Sequence, residues 1–365
     1  MSRFSNLGHR LYQGEVSFDF VGRRKLWYSI SGVIVLVAAI GLAMGLHLGI
    51  EFKGGSVYTV TKPGLTVSQA QEKADQVTSS HPLVQSTDNN KIRIQVSTDE
   101  PKSSDEVRSQ LAEKIGVPLD TVEAQVIGPS WGKQISNKAI TGLIIFMVLV
   151  TVYLAIAFEW RMAVAALVAL IHDLLITIGV YALVGFEVTP GTVIGFLTIL
   201  GYSLYDTVVV FDTVKENTKG LTKQNKLTYS EAANAGLNQT LVRSLNTTVV
   251  ALLPVAALLF IGGGLLGAGT LNDISLALFI GLAAGAYSSI CVATPLLAQL
   301  KEEQPEMKAL RKRVLQHRAA AARAEVTDAV ATDEVEDEDQ PAGMVGQRGR
   351  SAGTTRAKGR PSTKR

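Results

Sequence analysis

The sequence predicts an all-α membrane bundle of six spans carrying one external α+β domain. Three observations carry that expectation. Apolar runs of about 20 residues recur along the chain, each long enough to cross a bilayer. One stretch, 50–136, is instead water-soluble in composition and alternates in polarity. Lysine and arginine gather at one set of run ends and are missing from the short turns at the other. The whole is 47% hydrophobic and only 18% charged, with mean hydropathy +0.23, so a soluble globular class is excluded.

Residues 1–26 are polar and hold Arg3, Arg10, Arg23, Arg24 and Lys25, and they read as a cytoplasmic N-terminal segment. The apolar run 27–48 is too long for a signal-peptide core and shows no small-residue cleavage site. It reads as an uncleaved first span with its basic flank inside. Within 50–136, residues 57–60 read as a strand and 68–79 as a helix with Ser68 as N-cap. Lys91–Ser97, KIRIQVS, alternates strictly and reads as a second strand. Ser104–Ile115 reads as a helix capped by Ser104, with Val107, Leu111 and Ile115 on one face, and Val122–Ile127 as a third strand. That βαβαβ order predicts a small α+β or ferredoxin-like domain, and it lies outside because it follows a span whose basic end is inside.

Spans two to six fall within 139–300. Gly128 and Pro129 end the last strand, and Trp131 suits a membrane interface. The expected spans are 139–158, 162–184, 191–211, 245–261 and 274–297. Glu159-Trp160-Arg161 forms an inner turn, and a polar loop with Lys215, Lys219, Lys223 and Lys226 continues to Arg243. The turns 185–190 and 262–272 hold no Lys or Arg, the second being a flexible loop. Both termini are therefore expected in the cytoplasm. The segment 301–365 is expected to be a cytoplasmic tail, mostly disordered beyond about residue 320, with an acidic block at 333–339 and a basic end. A solvated tail is preferred there over binding to nucleic acid or anionic lipid.

The chemistry-bearing residues lie inside the spans. Asp206 interrupts the apolar run of the fourth span, with Tyr202 and Ser203 before it and Asp212 at the run's end. His172-Asp173 sits in the middle of the third. Arg243 precedes the fifth, followed by Asn246, Thr247 and Thr248. A carboxylate at membrane depth costs a few kcal/mol and persists where it is used or paired. At about 1.5 Å per residue, Asp206 is about 9 Å and Asp173 about 16 Å from the inner ends of their spans. The two can thus form a rising series that Arg243 enters from the inner surface. Burial and a nearby guanidinium act in opposite directions on such an acid, which suits a group that takes up and releases a proton. The structural alternative is a static Asp206–Arg243 ion pair that only fixes helix packing, with His172 merely hydrogen-bonded to a neighbouring helix. Gly191/Gly195 and Gly281/Gly285 have the spacing of close helix contacts. The lone Cys291 excludes an internal disulfide, and no GxxxxGK[ST] phosphate loop is present. No enzymatic activity, cofactor or metal is expected.

Taken together, Gly49-Ile-Glu-Phe-Lys-Gly-Gly-Ser, Gly128-Pro129, His172-Asp173, GYSLYDTVVVFDTVKEN at 201–217 and LNQTLVRSLNTT at 237–248 resemble the SecF family of bacterial protein-export subunits. The resemblance covers about residues 20–305. The family is similar to one half of the resistance-nodulation-division transporters. It implies a subunit that works with SecD beside the SecYEG channel, in the lipid bilayer, assisting a translocating preprotein with the proton-motive force. It assigns Asp206 and Arg243 to proton flow, to which the reading of the spans adds Asp173. It makes Glu51, Gly54, Gly55, Gly128 and Pro129 the hinge of a moving external domain. No nucleic-acid partner is implied. Two departures stand out: Glu51-Phe52-Lys53 replaces the usual Asp-Phe-Thr, and Thr213 replaces an Arg after Phe211-Asp212. The rival expectations are a small-molecule or lipid exporter of the same transporter class and a scaffold of the channel that uses no gradient.

Overall fold

The computed structural model describes residues 17–79, 82–88, 90–97, 100–263 and 269–336. Six helices are long and apolar enough to cross a membrane: Arg24–Met44, Ser130–Ala157, Trp160–Val184, Pro190–Lys223, Tyr229–Gly262 and Asp273–Glu302. The chain is a multi-pass membrane protein. In order, its helices are α1 (Arg24–Met44), α2 (Ile50–Lys53), α3 (Val67–Val77), α4 (Ser104–Ile115), α5 (Pro129–Ala157), α6 (Trp160–Val184), α7 (Pro190–Asn217), α8 (Tyr229–Ala257), α9 (Gly269–Ser288), α10 (Thr294–Glu302) and α11 (Pro305–Glu336). Its strands are β1 (His47–Leu48), β2 (Gly55–Thr61), β3 (Leu83–Asp88), β4 (Lys91–Ser97), β5 (Val122–Ile127) and β6 (Glu187–Val188).

Between α1 and α5 lies the α+β domain. It has one more strand than expected. β3 is short, breaks register between Ser86 and Asp88, and sits at a sheet edge, so its alternation is weak. The order is β2-α3-β3-β4-α4-β5, and the sheet runs β3-β4-β2-β5 with every neighbouring pair antiparallel. Tyr58 opposite Ile94 and Val60 opposite Ile92 put large apolar side chains on one face. Ala70, Ala74, Val107 and Leu111 of the two helices cover them. The helix caps lie one or two residues before the expected ones. Thr66 forms a capping box with Gln69, and Ser103 accepts from the Glu106 amide.

The chain enters and leaves this domain through special backbone. Gly54 and Gly55 have φ of 82° and 143°, a region that disfavours any side chain, and a Cβ at Gly55 would collide with the Val96 carbonyl. Glu51 lies in the short α2 just before them. Gly128 caps α5 and Pro129 takes its first turn, where a missing N–H costs nothing. Gly132 lets α5 close onto the Phe52 carbonyl, since a Cβ there would lie 2.6 Å from it. The expected hinge residues thus lie together where the chain enters and leaves the domain, with Gly55 opposite Ile127 across β2 and β5.

Two other expectations need correction. The polar loop supposed to reach Arg243 ends at Thr228, because Thr228 and Glu231 form a capping box and α8 begins at Tyr229. Ala232, Ala233, Gly236, Leu237 and Thr240 then bury one face at helical spacing. The tail also stays helical through Glu336, beyond the expected loss of order. Its alanines, arginines and glutamates are good helix formers. The chain divides at Val314, with residues 315–365 forming a second unit. The segment 1–16, residues 264–268 of the loop expected to be flexible and the basic end of the tail lie outside the described residues.

Candidate functional site

Small residues let three helices meet at the centre of the bundle. Gly195 faces Ala277, where a Cβ would come within 2.7 Å, and a Cβ at Gly281 would overlap Ile199. A Cβ at Gly285 would come 3.1 Å from that of Ser203, and one at Gly191 the same distance from Ile274. The two glycine pairs therefore belong to one seam between α7 and α9, and they bring polar side chains of the two helices into reach.

Asp173 of α6 is fully buried there. Its Oδ2 accepts hydrogen bonds from Ser203 Oγ of α7 at 2.5 Å and from Ser288 Oγ at the end of α9 at 2.7 Å. Its Oδ1 lies 3.2 Å from His172 Nδ1. One turn beyond Ser203, Asp206 is 5% exposed. Its Oδ1 accepts from Ser244 Oγ of α8 at 2.8 Å and its Oδ2 from Ser289 Oγ at 2.5 Å. Consecutive serines, Ser288 and Ser289, thus hold one carboxylate each. The backbone after α9 widens into a π-turn over Ser289–Ala293, and Thr294 Oγ1 donates to the Ser289 carbonyl at 3.1 Å. Such bulges within α-helices concentrate at functional positions.

The energetics explain why hydroxyls occur here. A hydrogen bond to a charged group contributes about 1.5–3 kcal/mol. Two such donors per carboxylate offset an insertion cost of a few kcal/mol. His172 stacks on Tyr287 with ring centroids 6.0 Å apart, and its Nε2 is buried without a partner among the described residues. Tyr287 in turn shares a 2.9 Å hydroxyl bond with Ser31 of α1.

Of the expected residues, Asp173, Asp206, His172 and Ser203 come together. Arg243 does not join them. Its side chain is exposed, and among the described residues no ion pair links it to Asp206. Successive residues of a helix point about 100° apart, so the Ser244 side facing Asp206 turns Arg243 away. The static Asp206–Arg243 pair is therefore not made. Asn246 is also exposed, and Tyr202 is half-buried outside the network. Asp212 is exposed and lines a cavity of about 780 Å³ with Lys215, Tyr229 and Lys301, where Lys301 pairs with Glu159. Ser244, Ser288 and Ser289 were missed. A serine in an apolar helix usually bonds its own backbone, so only the Ser-Ser doublet inside a span was available as a signal.

The comparisons with known proteins bear directly on this arrangement. Residues 107–303 match the model for protein export membrane protein SecD/SecF, C-terminal, and residues 40–61 match the SecD/SecF GG motif. The chain belongs to the SecD/SecF family. It is 57% identical over its full length, and over the full length of the relative, to the protein translocase subunit SecF of Streptomyces coelicolor. It is 40% identical to that of Mycobacterium tuberculosis, over 89% of this chain and 77% of the relative. Among solved structures it resembles SecDF, a translocon-associated membrane protein from Thermus thermophilus, with a TM-score of 0.68 and 30% identity over 79% of this chain. It spans 39% of that longer chain. The GG-motif match covers Glu51, Gly54 and Gly55, and the SecD/SecF match covers every carboxylate and serine of the central network.

Proposed function

We propose that the chain is the SecF-type subunit of the Sec export machinery and that, with SecD, it uses the proton-motive force to assist preprotein passage across the plasma membrane. The observation that carries the proposal is the pair of buried carboxylates Asp173 and Asp206, joined through Ser288 and Ser289. The names of the relatives support the export role. The solved Thermus protein, in which the matching portion belongs to a single chain called SecDF, supports SecD as partner. That structure's description as translocon-associated supports a position beside SecYEG.

The distribution of Lys and Arg supports cytoplasmic termini and an external α+β domain. The domain's split βαβ order and antiparallel sheet support the ferredoxin-like assignment. Protonation of Asp206 is the working step. It replaces two charge-assisted hydrogen bonds by neutral ones, weakening the ties to α8 and to the π-turn by about 1 kcal/mol each. One charge crossing 100 mV releases about 2.3 kcal/mol, which is of the same order. The loosened helices then shift the hinge at Gly54, Gly55, Gly128 and Pro129, and the external domain moves against the preprotein. Arg243, exposed next to Ser244, serves the inner end of the path.

The test is preprotein translocation by membrane vesicles under an imposed proton gradient. Asp206→Asn is expected to co-purify with SecD and the channel while losing the gradient-dependent part of export. Full gradient-dependent export by that variant overturns the proposal and favours a scaffold. Failure to recover SecD from native membranes, with normal assembly of the chain, favours the small-molecule exporter.

A further inference from the structure

A third buried acid sits away from the central network, at the junction of the α+β domain and the bundle. β6, in the link between α6 and α7, runs parallel to β1, and the Gly49 amide donates to the Val188 carbonyl at 2.9 Å. Glu187 of β6 is 8% exposed, and both its carboxyl oxygens lie 2.6 Å from Gln95 Nε2 on β4, itself 7% exposed. This contact ties the domain's sheet to the bundle side chain to side chain.

The surroundings suit a carboxylate poorly. Arg93, two residues before Gln95, favours charge but also pairs with Glu51 Oε1 of α2 at 3.6 Å. Glu51 and Asp273 at the start of the sixth span both oppose a charge on Glu187. Asp273 Oδ2 accepts from Thr189 Oγ1 at 3.0 Å. His47 stands opposite Glu187 in the β1–β6 register. One amide group is the side-chain donor to two buried carboxylate oxygens. Burial outweighs the help from Arg93 and Gln95 and pushes the Glu187 carboxyl above the usual carboxylate range.

We infer that Glu187 is a proton-binding site whose occupancy fastens the α+β domain onto the bundle. The step is simple: one proton from the adjoining water forms an O–H bond on a Glu187 carboxyl oxygen, and no other bond changes. Once the Gln95 amide turns so that its Oε1 as well as its Nε2 faces Glu187, the neutral acid and the primary amide make a two-bond ring, O–H to amide oxygen and N–H to carboxyl oxygen. The carboxylate can only accept. The sign follows from linkage. The docked state, where Glu187 is buried, binds the proton more tightly than an undocked state where it is wetted. Acidification therefore favours docking, and a rise in pH through the raised value loosens it. That the proton comes from the external side rests on the orientation proposed above, whereas the latch itself does not.

The test is a distance measured between spin labels at Glu113 on α4 and Leu253 on α8, in the full chain in lipid nanodiscs, with Cys291 replaced by Ser. Between about pH 8 and about pH 5 the wild type is expected to gain a short-distance population. Glu187→Gln, a neutral acceptor and donor, is expected to show that population at both values. Gln95→Ala is expected to lose it at both. An unchanged distance in the wild type overturns the inference. So does a pH response that survives Glu187→Gln, which reassigns the titration to Glu51, Asp273 or His47. The pH is uniform and no export is measured, so this outcome is separate from whether Asp206 carries a gradient-driven proton.

Discussion

The central network makes a specific demand on Ser289. Its buried hydroxyl donates to Asp206 Oδ2 at 2.5 Å. Ser289→Ala removes that donor and leaves one oxygen of a buried carboxylate facing a methyl group. The hydrogen bond is to a charged group, so the loss is about 1.5–3 kcal/mol when Asp206 is ionised. Truncation costs also include effects unrelated to Asp206, and a double-mutant cycle removes them. In an Asp206→Asn background no carboxylate remains to strand, and the same Ser289→Ala change is expected to cost about 1 kcal/mol or less. The coupling between the two positions is thus about 1–2 kcal/mol.

Chemical unfolding of the full chain in detergent micelles at neutral pH measures all four corners of the cycle. A matching cycle pairs Ser289 with Asp173. Ser288, not Ser289, bonds Asp173, so these two positions are expected to add within about 0.5 kcal/mol. Additivity between Ser289 and Asp206 would refute the network as described. Equal coupling to both aspartates would show that the π-turn responds as a block and that individual serine–carboxylate bonds do not set the energetics.

Four further outcomes follow from the geometry. Gly281→Ala is expected to destabilise the bundle by about 1–3 kcal/mol in the same unfolding assay, because the added methyl overlaps Ile199 in a packed seam. Gly55→Ala places a side chain at φ of 143° against the Val96 carbonyl, and faster amide exchange in β2 and β4 is expected to report a cost of about 1–3 kcal/mol. Tyr58→Phe loses the hydroxyl contacts to Ser104 at 3.0 and 3.1 Å, and thermal unfolding is expected to show a loss of about 0.5–1.5 kcal/mol. Glu187 carries a folded-state carboxyl raised above its ordinary 4.5, so its contribution to stability is full below that value and falls as pH rises toward the raised one. Unfolding midpoints across that window are expected to flatten in Glu187→Gln.

The sequence makes the spans legible because hydropathy reports burial in lipid, but it marks the lipid-crossing part of each helix and not the helix. α5 and α8 extend well before their apolar runs, at Pro129 and Tyr229, where amphipathic turns pack on protein and carry no long apolar signal. β3 escaped because an edge strand with a register break has little alternation to read. Asp173 and Asp206 announced themselves by cost, since a carboxylate in an apolar run is conspicuous. Their partners did not, because a serine costs little in a helix and gains meaning only from the neighbour it faces. Arg243 stands out for the complementary reason, although it is Ser244 that contacts Asp206. The Arg243 charge drew attention, while the adjacent Ser244 had the right direction.

Direction and spacing also connect the two acidic sites. α7 begins at Pro190, directly after the Glu187 junction, and reaches Asp206 after seventeen residues from Thr189, or about 25 Å. α9 runs beside it for the same distance. Thr189 bonds Asp273 at one end, the glycine contacts at Gly191, Gly195, Gly281 and Gly285 close the middle, and Ser289 bonds Asp206 at the other. A close-packed seam of this kind has little room to deform gradually, so a change in the ties at one end displaces the helices as units. In the mechanism and the latch proposed above, protonation acts at both ends with opposite consequences: charge strengthens the serine ties at Asp206, and its loss permits the two-bond Gln95 tie at Glu187. A proton passing from the junction toward the centre would therefore release the α+β domain as it leaves Glu187 and loosen the helices as it arrives at Asp206. Both changes loosen: the first frees the α+β domain from the bundle, and the second frees the bundle helices that carry its hinge.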